Sequence, residues 1–267
     1  MPYLFLLLCF SLITQAAEPA LQHAKTYNTQ DINNWLMSEK LDGIRGYWDG
    51  KIFLSKKGRP LHPPQHFTDN FPPFELDGEL WTKRQDFETI QSKLFTHQSD
   101  WKGVSYNIFE VPHGKGNFYK RLDKAKRWFK QHPNSHVHFI AQKLCQDKKT
   151  LALFLESVVK KGGEGVMVKN PNLAYRAGRT STLLKVKKAY DMEGIVTVIN
   201  MYPKRPMFKS LTLQLPNNIS FKLGNGFSKE TREQLPDLGT KVTFKYYGFT
   251  KKGKPKFASF LHYRLAQ

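Results

Sequence analysis

The 267-residue sequence predicts an α+β protein of two domains, a mixed α/β segment to about residue 190 and an all-β segment from there to the end. Three observations carry this. Hydrophobic residues make up 40% of the chain, enough for a buried core and too many for global disorder. Stretches of helical and strand periodicity alternate as far as Lys187. Beyond Glu193, strand follows strand with a single helix signal between them.

In chain order, residues 44–48 and 51–55 flank Asp49-Gly50, a two-residue hairpin signal. Pro60, Pro63, Pro64, Pro72 and Pro73 mark a long loop around a short element. Residues 74–76 and 79–81 read as strands on either side of an Asp77-Gly78 turn. Asp86 is placed to cap a helix running to Phe95, and residues 104–109 form a strand. Helical periodicity spans 118–130 and stops before Pro133. Asp147 caps another helix, with Leu151, Phe154, Leu155, Val158 and Val159 apolar and Gly162 at its end. Residues 166–168 and 183–187 close the first domain as strands, and 187–193 is the expected hinge. The remainder reads as strands at 194–201, 209–215, 219–223, 241–247 and 256–263, with Ser228 capping a short helix at 228–235. Five strands with one helix after the third is the order of an OB-fold barrel, or of another small β-barrel.

The bulk property of the chain is charge: 42 Lys+Arg against 22 Asp+Glu give a formal +20. Such a surplus points to a polyanion, and nucleic acid fits better than a membrane surface because no basic amphipathic helix concentrates the charge. Residues 4–13 form an apolar run followed by Thr14-Gln15-Ala16-Ala17. That run is too short to span a bilayer as a helix and suits a secretory signal cleaved after Ala16 or Ala17, although the segment before it lacks Lys and Arg. The competing reading is a buried N-terminal core segment. If Cys9 leaves with a signal, Cys145 has no partner for an intramolecular disulfide, and its apolar surroundings favour a packed thiol. The nine histidines show no metal-ligand spacing.

Lys40-Leu41-Asp42-Gly43, extended by Arg45, places an amine beside a carboxylate, a glycine and a cation. Two readings stand side by side: a solvated Asp-Gly turn, or a lysine nucleophile. A nucleophilic lysine must shed its proton, which needs nearby positive charge or desolvation. Four later segments supply partners. Residues 75–80 offer Glu75, Asp77 and Glu79, suited to a ribose or a hydrated magnesium ion. Residues 106–110 put an aromatic on a strand for base stacking, and Glu164 sits among glycines where a ligand can approach. Lys185 and Lys187 alternate onto one strand face, where both are expected to depress the Lys40 pKa and stabilise charge on a phosphate.

This ordered set resembles the motifs of the covalent nucleotidyltransferases, and most closely those of the small bacterial ATP-dependent DNA ligases that carry a signal peptide. Residues 39–45 resemble the family's first motif, 75–80 its third, 106–110 the motif between third and fourth, 164–169 the fourth and 185–187 the fifth. The resemblance implies an antiparallel-sheet, ATP-grasp-like nucleotidyltransferase (adenylation) domain over 22–188 and an OB-fold domain over 193–267, after a signal at 1–17. It implies a ligase that seals nicks in duplex DNA using ATP and Mg²⁺ or Mn²⁺. Lys40 would be the adenylylated nucleophile; Glu39, Arg45, Glu79, Phe109, Glu164, Lys185 and Lys187 would bind the nucleotide; Glu79 and Glu164 would hold the metal. Where the family often has Ser-Arg to contact the nick phosphate, this chain has Ser55-Lys56, so Lys56 and Arg59 are the expected DNA contacts. Phe257-Ala258-Ser259-Phe260 and Arg264 only loosely resemble the last motif. The expected protein is an exported, periplasmic or secreted monomer with no stable membrane association. The rival readings are an RNA ligase, an mRNA-capping guanylyltransferase, or a secreted nucleic-acid-binding protein without catalysis.

Overall fold

The computed structural model describes residues 18–96 and 99–264, so the apolar run at 4–13 and the Ala16-Ala17 cleavage reading lie outside the described residues. The chain divides into two compact units, one ending at Val186 and one beginning at Lys187.

The first unit runs β1 (Gln22–Thr26), β2 (Trp35–Lys40), β3 (Ile44–Trp48), β4 (Phe53–Ser55), β5 (Pro60–Leu61), α1 (Gln65–Thr68), β6 (Leu76–Trp81) and α2 (Phe87–Phe95). It continues with β7 (Ser105–Glu110), α3 (Phe118–Gln131), β8 (Val137–Phe139), β9 (Lys143–Cys145), α4 (Lys148–Lys160), β10 (Gly165–Lys169) and β11 (Gly178–Val186). These strands build two sheets. Sheet A has the order β1-β11-β10-β2-β9 and sheet B the order β5-β4-β3-β6-β7-β8. All pairings are antiparallel except β1 with β11 and β7 with β8.

Each sheet has its own core. Sheet B packs Phe53, Leu76, Leu80, Tyr106 and Ile108 against Phe118, Leu122, Ala125 and Phe129 of α3. Those four α3 positions recur at helical spacing, and burying a large apolar side chain contributes ~1.5–3 kcal/mol. Asn117 caps α3 by accepting from the Lys120 N–H at 3.1 Å, and the helix ends before Pro133. Sheet A packs Met37, Val166, Val168 and Leu184 against Leu151 and Val158 of α4. Asp147 caps α4 through the Thr150 N–H at 2.7 Å. Gly162, at φ +78°, turns the chain out of that helix.

The structure corrects two local expectations. Asp77-Gly78 is not a turn, because β6 runs straight through it. Leu76, Gly78 and Leu80 face the core on one side, and Asp77 and Glu79 face the other way. Gly78 reflects close packing: a Cβ there would lie 2.6 Å from the Tyr106 ring and 2.8 Å from the Asn107 carbonyl oxygen. Nor do Lys185 and Lys187 share a strand, since β11 ends at Val186. Its partner β10 begins at Gly165, and Val166 opposite Val186 is the last pair, so Lys187 has no ladder to join.

The second unit holds β12 (Tyr190–Tyr202), β13 (Arg205–Gln214), β14 (Ser220–Leu223), α5 (Lys229–Glu233), β15 (Lys241–Tyr246) and β16 (Ser259–Tyr263). Strand begins at Tyr190, inside the stretch read as a hinge, because Tyr190 to Glu193 already pair with β15. The five strands form one antiparallel sheet, β14-β13-β12-β15-β16, with α5 between the third and fourth strands. Ser228 caps α5 through the Thr231 N–H at 3.2 Å. The sheet's two edges approach where the Phe260 N–H donates to the Asn225 carbonyl at 2.9 Å. Phe227 stacks on Phe260 there, with centroids 4.5 Å apart.

Candidate active site

A cavity of about 280 Å³ opens between sheets A and B. From sheet A it is lined by Gln22, His23, Ser38, Glu39, Lys40, Met167, Lys169 and Leu183. From sheet B and its loops come Arg45, Lys56, Glu79 and Phe109, and from α3 its first residue, Phe118.

Lys40 is the last residue of β2, where the strand gives way to the tight link into β3. Gly43 makes that link possible: a Cβ would fall 2.2 Å from the Leu80 carbonyl oxygen. The Gly43 N–H donates to Glu79 Oε1 at 3.1 Å, while the Lys40 ammonium bonds to Glu164. Burial pulls the Lys40 pKa down, but Glu164, Glu79 and Asp42 outweigh it and hold the ammonium above its ordinary value. This reverses the expectation that Lys185 and Lys187 depress it, because the charges closest to Lys40 are carboxylates. Burial also pushes the Glu79 carboxyl up to about 7, against the opposing pull of Lys40, Arg45 and the Gly43 N–H. The charge of Glu164 adds to the rise at Glu79, and both carboxylates act on the one amine.

Arg45 lies across from Glu79 in the β3–β6 register and reaches back to Asp77, with Nε to Oδ1 at 2.8 Å and Nη2 to Oδ2 at 2.5 Å. Its Nη2 also donates to the Gln22 carbonyl at 2.9 Å, tying β1 to sheet B. The guanidinium carbon sits 5.6 Å from the centroid of the Phe109 ring. Phe109 is the extra residue of a β-bulge, since Glu110 faces Asp77 and Ile108 faces Gly78 with nothing opposite Phe109. Such a bulge re-aims a side chain. Here it lets Phe109 line the cavity while its neighbour Glu110 turns into a buried ion cluster.

That cluster was not legible as part of the site. Glu110 takes Arg121 Nε at 2.9 Å and Nη2 at 3.0 Å on its two oxygens, and Lys169 Nζ at 2.5 Å. Burial alone would raise the Glu110 pKa, yet the two cations hold it below the usual carboxylate range. For Lys169 the balance falls the other way. Burial is the larger effect, Arg121 adds to it, and a carboxylate shared with Arg121 does not compensate fully. The signal available in the sequence was Lys169 closing the motif at 164–169. Gln22 and His23 gave none, because Gln22–Thr26 lacks an apolar alternation.

The remaining expected residues divide. Glu39 lines the cavity, but its carboxylate is taken in bidentate fashion by Arg84, with Nε and Nη2 each at 2.7 Å. Lys185 pairs with Met167, which pairs with Ser38, so register puts it beside two lining residues. Lys187 lies one residue past β11, with its ammonium 4.5 Å from the centroid of the Phe257 ring. Lys56 lines the cavity from the turn that follows β4. Arg59 closes that turn, its N–H donating to Ser55 Oγ at 3.1 Å, and its side chain is exposed away from the cavity lining. Among the described residues, no group of three or more His, Cys, Asp and Glu side chains forms a metal cluster.

The same arrangement of segments recurs in known proteins. A family described as the ATP dependent DNA ligase domain matches residues 65–187, and one described as the DNA ligase OB-like domain matches 205–264. A DNA ligase of Haemophilus influenzae is 40% identical over 262 residues, covering 97% of each chain. A structure from work on Lig E DNA ligases as a minimal DNA-binding scaffold aligns with a TM-score of 0.86 at 36% identity. That alignment covers 91% of this chain and 98% of the other. The Chlorella virus DNA ligase–adenylate shares the fold at 22% identity, with a TM-score of 0.56 over 94% of this chain and all of its own.

Proposed function

Since the chain belongs to the ATP-dependent DNA ligases, we propose an assignment of each step of nick sealing to its own residues. Lys40 Nζ attacks the α-phosphorus of ATP, the bond to the bridging oxygen of pyrophosphate breaks, and AMP remains on the amine through a P–N bond. An oxygen of the 5′-phosphate at the nick then attacks the AMP phosphorus and the P–N bond breaks. The neighbouring 3′-hydroxyl attacks the 5′-phosphorus, AMP leaves, and the strand is closed.

Phe109 stacks on adenine, and Arg45 and Glu79 meet the ribose at the centre of the cavity. Lys185, with Lys187 just beyond the strand, neutralises charge growing on the α-phosphate. Lys56 and Arg59 hold the phosphate backbone of the nicked duplex; a lysine at 56 keeps charge without the planar fork of an arginine. Glu79 and Glu164 would hold a divalent cation, because carboxylate oxygens are ligands that Mg²⁺ and Mn²⁺ take. Such a cation supplies charge neutralisation at the phosphates. Lys40 becomes a nucleophile when its ammonium passes a proton to the Glu164 carboxylate it bonds to, which frees the Nζ lone pair. Phosphoryl transfer is largely positioning and charge neutralisation, which these groups provide.

The single observation behind this reading is the Lys40 amine bonded to Glu164 beside a cavity lined by Arg45, Glu79 and Phe109. Incubation with labelled ATP and magnesium is the test. Lys40→Ala is expected to abolish the adduct and keep salt-dependent binding to nicked DNA. An adduct formed from GTP alone would point to capping chemistry instead. Export of a monomer is part of the same proposal, supported by the apolar run at 4–13 and Ala16-Ala17. Among the described residues no helix is long and apolar enough to cross a membrane. Fractionation of cells and light scattering of the purified chain test location and oligomeric state.

A further inference from the structure

We infer that the Glu39–Arg84 ion pair is a positioning clip that fixes the nucleophile relative to the two carboxylates beside it. The inference rests on the functional reading above. Three separate segments carry Lys40, Glu79 and Glu164, and all three meet at this pair. Glu39 directly precedes Lys40 on β2. Arg84 stands in the loop that leaves β6, the strand carrying Glu79. That loop is folded back on itself, with Thr82 Oγ1 donating to Asp86 Oδ2 at 2.7 Å and Gln85 held at φ +60°.

The third segment is the glycine pair before Glu164. A Cβ on Gly162 would lie 2.7 Å from Gln85 Nε2, so this turn packs against the Arg84 loop. A Cβ on Gly163 would lie 2.9 Å from Glu39 Oε1, so the turn also packs against the clip's carboxylate. Glu39 lines the cavity, but Arg84 holds its carboxylate while Glu164 holds the Lys40 ammonium, so the clip is separate from the bond the nucleophile makes. It acts through its neighbours on either side.

The geometry separates two roles by magnitude. The side chain of Arg84 is 37% exposed and that of Glu39 is 20% exposed. An ion pair this open contributes little to stability. A purely structural contact should therefore have little effect on anything measurable when it is removed. A clip between catalytic segments behaves differently, because a displacement of about 1 Å costs roughly 100-fold in rate.

The experiment compares full-length wild type, Arg84→Ala, Arg84→Lys and the exchanged pair Glu39→Arg/Arg84→Glu. Mn²⁺ binding is followed by electron paramagnetic resonance with a non-hydrolysable ATP analogue, single-turnover self-adenylylation at saturating ATP is timed, and melting temperature is recorded. Arg84→Ala is expected to weaken Mn²⁺ binding about fivefold and slow adenylylation tenfold or more, with the melting temperature nearly unchanged. Arg84→Lys, which keeps charge and loses the fork, should fall between, and the exchanged pair should recover most of the loss. Should Arg84→Ala fail to fold, Arg84→Lys and the exchanged pair carry the comparison. Unchanged Mn²⁺ binding and rate in a folded Arg84 variant, or an exchanged pair no better than the single change, overturns the clip. Absence of any adduct in the wild type would instead overturn the functional reading beneath it.

Discussion

Lys40 bonds to Glu164 and is held charged by Glu164, Glu79 and Asp42. The Lys-x-Asp-Gly-x-Arg pattern in the sequence admitted a turn or a nucleophile, and the site's geometry favours the second. Gly43 is required by the approach of the Leu80 carbonyl rather than by a positive φ, and the side chains on either side of it converge on one cavity. Glu79 adds a pH dependence. Its carboxyl is raised to about 7 in the folded chain, against ~4.3 when unfolded. The folded state thus holds the extra proton, and stability present below about 4.3 is lost as pH rises through about 7. In the absence of nucleotide, Glu79→Gln is therefore expected to raise the melting temperature at pH 8, with the gain fading toward pH 4.5. A gain that grew at acid pH would contradict the placement of Glu79. Residue types pointed to Lys40, Arg45 and Glu79, and the family resemblance singled out Phe109. They did not name Lys169, Arg121 or Arg84, whose importance lies in partners far away in the chain.

At the scale of elements, β6 and β7 bring Glu79 and Phe109 to the cavity. The sequence showed a glycine after an aspartate and suggested a turn. The structure shows a straight strand whose glycine lies under the Tyr106 ring. Nothing in the local sequence reveals a ring from the next strand, so this was legible only after pairing. The bulge at Phe109 is hidden for the same reason. Helices α3 and α4 were readable because their apolar spacing, the Pro133 stop and the Asp147 cap are local signals, whereas β1 and β9 are short and their pattern is weak. Gly78→Ala is expected to destabilise the unit by ~1–3 kcal/mol through overpacking against Tyr106, measured by denaturant unfolding. A change below about 0.5 kcal/mol, the range of neutral surface sites, would mean that the strands separate easily there.

At the scale of the whole chain, the formal +20 and the order of elements carried the class of partner and the second unit's topology. The strand order with α5 after β14 follows the expectation closely, because alternation and the Ser228 cap are local signals. Phosphate contacts release counterions, so log affinity for nicked duplex is expected to fall linearly with log salt. The slope should be about −0.9 per phosphate neutralised. Lys56→Gln should reduce that slope by about one phosphate. An unchanged slope would remove Lys56 from the DNA surface.

Adduct mapping tests the central claim most directly. The wild-type chain is incubated with ATP and magnesium, digested under conditions that preserve P–N bonds, and its peptides are sequenced by tandem mass spectrometry. AMP is expected on Lys40 alone, and it should be lost on addition of nicked DNA as the strand is sealed. AMP on another lysine, or no adduct while sealing proceeds, would contradict Lys40 as the nucleophile.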